Sequence, residues 1–410
     1  MRVVSEHVLR ARLHALPVDH PRVVATGNFA TPSATLRLLD GCLERYRLFM
    51  LNAQPGIPAR AGVSYETPFV GPGMRGSDAL VYLPARLSLV PRLFGTTCPP
   101  DVVLVRTSPP RAGRVSLGTE VNILPAAIEV ARARGGLVIA QVDANMPYTF
   151  GDGELDLAAV DLAVEVDEPL ASPALRPPGP TALEIADRVA ALVPEGATLQ
   201  LGIGAVPDAV LGALLPRRGL RVWTEMFSDG VVALDRAGAL DDSHPLTTSF
   251  VFGSPDLYAW VDANPRVRLV RTETTNDPGR IASRPGMTSV NAALQVDLFA
   301  QANASRIHGR VYSGFGGQTD FIVGALHSPG GTAIVALPSW HPKAGVSTVV
   351  PVLGTPVTSF QHGFVVSEQG AAAVWGSPQD DQARLIVDRV AHPSVREELR
   401  EAGRGLGLAL

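Results

Sequence analysis

The chain has 410 residues, of which 46% are hydrophobic and 18% are charged, and its formal net charge is -4 at pH 7. Acidic and basic residues are intermixed, so the composition lacks the basic patch of a nucleic-acid-binding protein or a polybasic membrane surface. The N-terminus lacks the apolar core of a signal peptide, and no run of about eighteen apolar residues predicts a membrane span. We therefore expect a cytoplasmic protein whose partners include neither nucleic acid nor membrane.

Strand-like and helix-like runs alternate along the N-terminal part of the chain. Thr31-Pro32 is a typical helix start, and apolar spacing extends this helix to about Arg45, which places Cys42 in the core. Continuous apolar strands between helices indicate a parallel sheet covered on both faces. The predicted strands are residues 23–25, 101–105 and 137–142, and the predicted helices are residues 31–45 and 122–134.

A segment rich in proline and glycine, Pro169 to Pro180, marks the predicted boundary between two domains. Thr181-Ala182-Leu183-Glu184 then has the pattern of a capping box at the start of a helix. A chain of this length is too long for one core, so we predict two open, mostly parallel α/β domains, residues 1–180 and 181–410. The predicted strands of the second domain are residues 198–201, 267–270, 333–337 and 364–366.

The turn Gly202-Ile203-Gly204 lies between an apolar strand and a helix predicted to start near Pro207. Its backbone amides can approach an anion at the helix N-terminus, and the alternative is a tight structural turn. The third glycine of a dinucleotide fingerprint is replaced by Pro207, and no acidic residue follows a second strand as that fingerprint requires. Both features argue against a nicotinamide site.

The stretch from Trp223 to Gly230 puts a carboxylate, Glu225, where an apolar strand ends. This position suits a nucleophile at the edge of a parallel sheet. A glutamate that merely caps the following helix is the alternative.

Two loops farther along the chain carry groups that can bind an oxyanion. Asn276, in Thr275-Asn276-Asp277-Pro278, offers a side-chain amide, although the same residues are a plain turn signal. Gly314, Gly316 and Gly317 surround one aromatic residue, so their amides can face a ligand without interference from a Cβ atom, and a β-bulge or hairpin loop is the alternative. Neither this glycine loop nor the Gly202-Ile203-Gly204 turn matches the lysine-bearing phosphate-loop pattern, so nucleotide hydrolysis finds no support.

Two residues near the C-terminus are further candidates. Lys343 is the only lysine of the chain and lies in a loop with proline and glycine, where its ammonium can reach a phosphate or remain a solvated surface group. Glu368 lies at a strand end, where it can also serve as a salt-bridge or capping residue. The scattered histidines, together with Cys42 and Cys98, show no metal-ligand spacing, so we predict reduced thiols and no metal site. No Gly-x-Ser-x-Gly elbow indicates a serine hydrolase.

Together these motifs resemble the acetyl-CoA hydrolase/transferase family over almost the whole chain. The motifs are Phe69-Val70-Gly71-Pro72-Gly73-Met74-Arg75, Ser108-Pro109-Pro110 with Ser116-Leu117-Gly118, Met146-Pro147-Tyr148-Thr149-Phe150-Gly151, residues 202–207, 224–230, 275–278, 289–291 and 313–321, and Ala391-His392-Pro393.

The resemblance implies two domains of the CoA-transferase type and a catalytic glutamate at Glu225. It implies that Asn276 and a glycine amide, assigned to Gly317, hold the thioester oxygen, and that the Glu368 segment borders the active site. The family's phosphate-contacting stretch is replaced here by Trp340-His341-Pro342-Lys343, so Lys343 is a plausible substitute. The residues expected to contact CoA are Gly202, Gly204, Gly314, Gly316, Gly317, Gln318, Lys343, Glu368 and Gly370.

The activity implied by the resemblance is transfer of CoA between an acyl-CoA and a small carboxylic acid, with short-chain or hydroxy acids as substrates. The transfer would pass through a glutamyl-CoA thioester on Glu225. Two alternatives remain: hydrolysis of acyl-CoA on the same glutamate, and CoA binding without catalysis. The resemblance also implies a homodimer and no cofactor other than CoA itself, which is a substrate.

Overall fold

A computed structural model describes residues 1–173, 177–357 and 361–410. Its contacts divide the chain into two compact units, Met1–Pro173 with Thr247–Thr275, and Ala174–Leu246 with Asn276–Leu410. Each unit is thus built from two stretches of sequence. The domain limits 1–180 and 181–410 stay a prediction, and residues 174–176 of the expected boundary segment lie outside the described residues.

The first unit is built around an eight-stranded sheet in the order β1-β11-β8-β6-β2-β3-β4-β5, in which all neighbours run parallel. Every residue of the adjacent strands β6 and β8 is buried, as expected for a parallel sheet covered on both faces. The elements to residue 166 are β1 (Arg2–Val3), α1 (Glu6–His14), β2 (Arg22–Ala25), α2 (Ser33–Asp40), β3 (Tyr46–Phe49), β4 (Val63–Thr67), β5 (Leu80–Tyr82), α3 (Val90–Phe94), β6 (Val102–Thr107), β7 (Arg114–Ser116), α4 (Leu124–Ala133), β8 (Leu137–Asp143), β9 (Phe150–Gly151), β10 (Glu154–Asp156) and β11 (Leu162–Val166), with 3₁₀ turns at Asn28–Ala30, Leu87–Leu89 and Leu157–Ala159.

Helix α2 ends five residues earlier than the sequence predicts. It stops at Asp40 before Gly41, because the chain must turn here to enter β3 beside β2. Arg60 stabilises the turn by donating hydrogen bonds to the carbonyl oxygens of Asp40 and Glu44, at 2.9 and 2.7 Å. Cys42 therefore lies in the turn and is partly exposed, so its predicted core position is wrong; Cys98 is buried, and both thiols are free.

The second unit is built around a six-stranded sheet in the order β13-β12-β18-β23-β27-β28, which is parallel except for its last pair. The elements from residue 177 onward are α5 (Pro180–Ala191), β12 (Thr198–Leu201), α6 (Ala205–Ala213), β13 (Arg221–Val222), β14 (Met226–Phe227), α7 (Asp229–Arg236), β15 (Leu246–Thr248), β16 (Phe250–Val251), α8 (Pro255–Val261), β17 (Val267–Leu269), α9 (Thr272–Thr275), α10 (Pro278–Ala282), β18 (Met287–Ala292), β19 (Gln295–Asp297), β20 (Ala302–Asn303), β21 (Arg306–Ile307), β22 (Arg310–Val311), α11 (Gln318–His327), β23 (Thr332–Ala336), β24 (Trp340–His341), β25 (Val346–Ser347), β26 (Val349–Val350), β27 (Phe364–Ser367), β28 (Gly370–Ala373), α12 (Gln379–Leu385) and α13 (Arg396–Gly405), with a π-helix at Ile386–Val390 and a 3₁₀ turn at Pro393–Val395.

Two local predictions for this part of the chain need correction. Helix α5 takes Gly179 as its N-cap and Pro180 as its first residue, so Thr181 lies inside the helix and the predicted capping box is wrong. The strand expected at residues 267–270 forms as β17, but it pairs with Phe150–Gly151 of the first unit.

The fold class predicted from the sequence, α/β with mostly parallel sheets, is confirmed. In the second unit the carboxyl ends of the parallel strands share one edge of the sheet. Segments leaving this edge carry Gly202 after β12, Glu225 after β13, Ser339 after β23 and Glu368 after β27. Within the described ranges, no helix is long and apolar enough to cross a bilayer.

Candidate active site

Glu225 lies directly beyond the parallel pairing of β12 and β13. The Trp223 amide donates a 3.1 Å hydrogen bond to the Leu199 carbonyl, which extends this pairing by one residue. The Thr224 hydroxyl donates to the Leu201 carbonyl at 3.1 Å. These bonds hold the backbone just before Glu225 at the carboxyl edge of the sheet. The strand-end position predicted from the sequence is therefore the one observed.

Asn276 contacts the carboxylate of Glu225. Its Nδ2 atom donates a 3.0 Å hydrogen bond to Glu225 Oε2, and the residue is fully buried. Asn276 immediately precedes Asp277, whose side chain caps α10 by accepting a 2.7 Å hydrogen bond from the Arg280 amide. The sequence Asn-Asp-Pro thus starts a helix and also positions the Asn276 side chain. The turn and the side-chain donor that the sequence offered as alternatives are both present.

Gly317 approaches the same carboxylate through its backbone. Its amide donates a hydrogen bond to Glu225. A Cβ atom at this position would lie 1.7 Å from Glu225 Oε2 and 2.5 Å from Asn276 Nδ2, so a side chain cannot fit. Gly317 is the N-cap of α11, and the preceding Gly314 and Gly316 have φ angles of 132° and 58°, in the left-handed region that favours glycine.

Burial is the main cause of the raised pKa of the Glu225 carboxyl group. The residue is partly exposed, yet its carboxyl group is surrounded by protein, and loss of hydration raises its pKa to about 7 from 4.5. The hydrogen bond from Asn276 opposes this shift, the negative charge of Asp320 adds to it, and the Gly317 amide opposes it. The carboxyl group is therefore poised between its two protonation states near neutral pH.

The chemical capacity of this arrangement follows from the two N-H donors that contact the Glu225 carboxylate. When a nucleophile attacks the carbonyl carbon of a glutamate that is acylated on one oxygen, negative charge develops on the other oxygen. Asn276 and the Gly317 amide already donate to this carboxylate, so they can stabilise an oxyanion on the glutamyl carbonyl with little reorganisation. Partial desolvation also strengthens a carboxylate as a nucleophile once an electrophile is aligned with it.

The turn Gly202-Ile203-Gly204 lies beside Glu225 at the sheet edge, because β12 and β13 are neighbours. Gly204 has a φ of 113° and is the N-cap of α6, which begins at Ala205, two residues before the predicted start. Gly204 is exposed, so its backbone is accessible to a ligand. Contact of this turn with an anion stays a prediction.

Glu368 belongs to a different part of the same edge. Strands β13 and β27 are four positions apart in the sheet, which separates their ends by roughly 19 Å at about 4.8 Å per strand. The carboxylate of Glu368 accepts a 2.9 Å hydrogen bond from the Ser339 amide and another from the Ser339 hydroxyl. Burial alone would raise the pKa of Glu368, but these hydrogen bonds outweigh it and lower the pKa. Glu368 thus ties the β23 and β27 loops together.

Gly370 and Lys343 flank this region. Gly370 packs closely against the π-helix, since a Cβ atom here would lie 2.8 Å from the Arg389 carbonyl oxygen. Lys343 is exposed in the hairpin between β24 and β25. The structure therefore brings Glu225, Asn276 and Gly317 together, whereas contacts of Gly370, Gln318 and Lys343 with CoA stay predictions.

Sequence reasoning missed two acidic residues. Asp320 lies within the motif at residues 313–321 and has no role assigned from the sequence, but it is fully buried in the first turn of α11 and its charge acts on Glu225. Its position three residues after Gly317 at a helix start was a usable signal. Glu120 of the first unit is 2% exposed and its burial raises its pKa to about 7. No motif around Glu120 indicated this.

Comparison with known proteins identifies relatives across most of the sequence. The acetyl-CoA hydrolase/transferase N-terminal domain family matches residues 71–173, and the corresponding C-terminal domain family matches residues 253–403. The 4-hydroxybutyrate coenzyme A transferase of Clostridium kluyveri is 39% identical over 332 residues, which cover 78% of this chain and 76% of that protein.

Solved structures agree with this relationship. The 4-hydroxybutyrate CoA-transferase from Porphyromonas gingivalis has a TM-score of 0.82 and 31% identity, covering 99% of this chain and 98% of that one. RipA from Yersinia pestis has a TM-score of 0.91 and 27% identity, again covering 99% of this chain and 98% of its own. The sequence-level resemblance is therefore confirmed.

Proposed function

The chain belongs to the acetyl-CoA hydrolase/transferase family, and on this basis we propose that it transfers CoA from an acyl-CoA to a free carboxylic acid through a thioester on Glu225. It is thus an enzyme of the CoA-transferase family. The observation that carries the proposal is the Glu225 carboxylate, which accepts a hydrogen bond on Oε2 from Asn276 Nδ2 and another hydrogen bond from the Gly317 amide.

In the first half-reaction the Glu225 carboxylate attacks the carbonyl carbon of the acyl-CoA. The bond between that carbon and sulfur breaks, which gives an acyl-glutamyl anhydride and CoA thiolate. The thiolate then attacks the glutamyl carbonyl of the anhydride. The acyl group leaves as a carboxylate, and Glu225 becomes a CoA thioester.

In the second half-reaction an incoming carboxylate attacks the glutamyl thioester carbonyl and expels CoA thiolate, which forms a new anhydride. The thiolate attacks the acyl carbonyl of this anhydride. The products are a new acyl-CoA and the free Glu225 carboxylate. No proton is consumed and no redox step occurs, so CoA is a substrate and the scheme needs no further cofactor.

Asn276 and Gly317 have the same task in both half-reactions. Each attack on the glutamyl carbonyl places negative charge on its oxygen, and the two N-H donors stabilise this charge. The fully buried Asn276 side chain and the backbone of Gly317 are fixed before the reaction, so their orientation adds no cost at the transition state. Binding energy from the distant parts of CoA can then be used to align the thioester.

Short-chain or hydroxy acids are the proposed acyl groups, because relatives at 39% and 31% identity are named 4-hydroxybutyrate CoA-transferases. CoA contacts are proposed for the glycine turns at residues 202–204 and 314–317 and for Gln318, Lys343, Glu368 and Gly370. We also propose a cytoplasmic homodimer with domains at residues 1–180 and 181–410. Light scattering of the purified chain would test the dimer directly.

The covalent intermediate provides the decisive experiment. The protein is incubated with an acyl-CoA in the absence of an acceptor acid, and the peptide that contains Glu225 is analysed by mass spectrometry, with borohydride to trap the thioester. We expect a CoA adduct on Glu225. An unmodified Glu225 peptide under conditions in which CoA transfer proceeds would reject the mechanism.

Hydrolysis is the second candidate, because the matching family includes acetyl-CoA hydrolases and the same glutamate serves both reactions. Water would attack the glutamyl thioester in place of the acceptor carboxylate. Free CoA and new acyl-CoA should be measured together while acetate is added at increasing concentration. A transferase forms new acyl-CoA as acetate rises, whereas a hydrolase releases CoA at a rate independent of acetate. A CoA-binding protein without catalysis would form no adduct at all.

A further inference from the structure

Arg284 and Trp223 form a stacked contact in the second unit. The central carbon of the Arg284 guanidinium lies 3.8 Å from the centre of the Trp223 ring, which is within the range of a direct cation-π stack. Arg284 Nε is buried and makes no hydrogen bond within the described residues. The stack on the Trp223 ring is therefore not supplemented by a hydrogen bond at Nε.

The two partners belong to the two elements that carry the reactive pair. Trp223 precedes Glu225 by two residues, is 7% exposed, and is fixed by its backbone hydrogen bond to Leu199. Arg284 follows α10, the helix that begins directly after Asn276 and Asp277. The stack therefore joins the segment before Glu225 to the segment after α10 at a second point, in addition to the 3.0 Å hydrogen bond from Asn276 Nδ2 to Glu225 Oε2.

The far end of α10 is anchored as firmly as its beginning. The Arg284 amide donates a 3.0 Å hydrogen bond to the Ile281 carbonyl, and the Arg284 carbonyl accepts one of 2.6 Å from the Ser328 hydroxyl. Ser328 follows α11, the helix whose N-cap is Gly317. The position of Arg284 is thus linked to both helices of the site.

Helices α10 and α11 also pack closely along their length. A Cβ atom at Gly324 of α11 would lie 2.4 Å from Ile281 Cγ2 and 3.1 Å from the Pro278 carbonyl oxygen. Helices packed this closely transmit a displacement from one to the other. Displacing α10 from the Glu225 strand would therefore move the Asn276 amide and the Gly317 amide together.

From this geometry we infer that Arg284 is a positioning residue, which holds the Asn276 and Gly317 donors against Glu225 by stacking on Trp223. The inference rests on the proposed function of Glu225 as the nucleophile. It assigns Arg284 a role through its contact with Trp223 and not through a direct electrostatic effect on Glu225. The charged group that acts on the Glu225 carboxyl is Asp320.

The test compares Arg284→Met, Arg284→Lys and the control Arg280→Met. Arg280 is an exposed cation of α10, the helix that precedes Arg284, so its removal changes the local charge and leaves the Arg284 side chain on the Trp223 ring. For each variant we would measure the rate of CoA adduct formation on Glu225 between pH 5.5 and 8.5, kcat, KM for acyl-CoA, and the melting temperature. Wild type is run in parallel, so a missing wild-type adduct reports failure of the proposed function rather than of this inference.

For Arg284→Met we expect kcat to fall about tenfold, which is the rate equivalent of a well-packed cation-π contact, while KM stays within about twofold. Because a weaker Asn276 hydrogen bond raises the pKa of Glu225, the acid limb of the adduct rate should move to higher pH. Arg284→Lys should show a smaller shift, since an ammonium stacks less well than a planar guanidinium. Arg280→Met should leave the acid limb in place.

A double variant separates positioning from general destabilisation. If Arg284 acts through the Asn276 hydrogen bond, Arg284→Met should cause no further shift of the acid limb when Asn276 is already alanine. A lower melting temperature with an unchanged acid limb in Arg284→Met would show a structural role only, and would overturn the inference. If Arg284→Met does not fold, the same comparison is made with Arg284→Lys.

Discussion

Glu225 in the second unit and Glu120 in the first have similar surroundings. Burial raises the pKa of each carboxyl to about 7. Each accepts hydrogen bonds from a glycine amide and from an asparagine side chain: for Glu120 these are the Gly27 amide at 3.2 Å and Asn122 Nδ2 at 2.8 Å. Judged only by its pKa and its hydrogen-bond donors, either glutamate qualifies as a nucleophile supported by two N-H groups.

Access separates the two glutamates. Glu120 is 2% exposed, and its Oε2 atom has no hydrogen-bond partner in the described part of the chain. Its neighbours Asn28 and Asn122 have φ angles of 43° and 24°, so the carboxyl group lies within a strained turn network that has a structural task. Glu225 is partly exposed at a sheet edge. A raised pKa therefore identifies a nucleophile only together with a route for substrate.

The largest expected difference comes from replacing each glutamate by glutamine. Glu225→Gln removes the nucleophile, so CoA transfer should fall by roughly a thousandfold or more. Glu120→Gln should retain transfer within about twofold of wild type, because that carboxyl group has no contact with the reacting atoms in the scheme. Mass spectrometry of the adduct gives the same comparison without steady-state kinetics. Loss of the Glu225 adduct in Glu120→Gln would reverse our assignment.

The next effect concerns the glycine that touches Glu225. In Gly317→Ala the new methyl group would occupy the place of Glu225 Oε2, so the carboxylate must move and transfer should fall by about a hundredfold to a thousandfold. Gly212→Ala in α6 is the matched control, because a Cβ atom there meets no other atom within 4 Å. The control should be fully active and slightly more stable. Near-normal kcat in Gly317→Ala would contradict the close approach of the Gly317 backbone to the Glu225 carboxylate.

Asn276→Ala removes the asparagine donor of Glu225, which corresponds to Asn122 at Glu120. Loss of one oxyanion donor should lower kcat by about a hundredfold. The Asn276 hydrogen bond lowers the pKa of Glu225, so its removal should raise that pKa further above 7 and move the acid limb of the kcat/KM profile to higher pH. A profile that stays in place would show that the hydrogen bond does not act on the ionised glutamate.

Stability should depend on pH through both glutamates. The pKa of folded Glu120 is about 7 against an ordinary 4.5, so the native protein binds more protons than the unfolded chain between these values. The stabilising contribution of Glu120 is then fully present below about pH 4.5 and is lost as pH rises through about 7. The loss is on the order of 3 kcal/mol for a buried group. Glu120→Gln should have a smaller difference in melting temperature between pH 5.5 and 8 than wild type. An equal difference would show that Glu120 is already ionised in the native state.

The sequence was sufficient to name Glu225, Asn276 and the glycine loop as candidates, because each lies in a contiguous motif at a strand end or helix start. It could not predict the 3.0 Å hydrogen bond from Asn276 Nδ2 to Glu225 Oε2, since the two residues are separated by 51 positions and meet only when the segment before α10 packs beside the end of β13. The contribution of Asp320 and the stack between Arg284 and Trp223 depend in the same way on how helices pack on the sheet.

Local signals also failed where tertiary structure overrides them. The apolar spacing that includes Cys42 continues past Asp40, but entry into β3 ends the helix there. The capping-box pattern at Thr181 loses to Gly179 and Pro180, which start the helix earlier. Glu120 has no motif of its own, because its burial results from the Gly27 loop and from the Asn122 turn, which are far apart in sequence.

The smallest expected effect belongs to Lys343, which has no counterpart beside Glu120. Lys343 is exposed in a hairpin of the unit that carries Glu225, so a contact with a CoA phosphate would be solvent-screened and worth no more than about 1 kcal/mol. Lys343→Ala should therefore raise KM for acyl-CoA by about two- to fivefold at low salt and less at high salt, with kcat unchanged. An acyl-pantetheine substrate, which lacks the nucleotide phosphates, should have the same KM with wild type and with Lys343→Ala. An equal rise in KM for acyl-pantetheine would show that Lys343 acts on the hairpin itself and not on a phosphate.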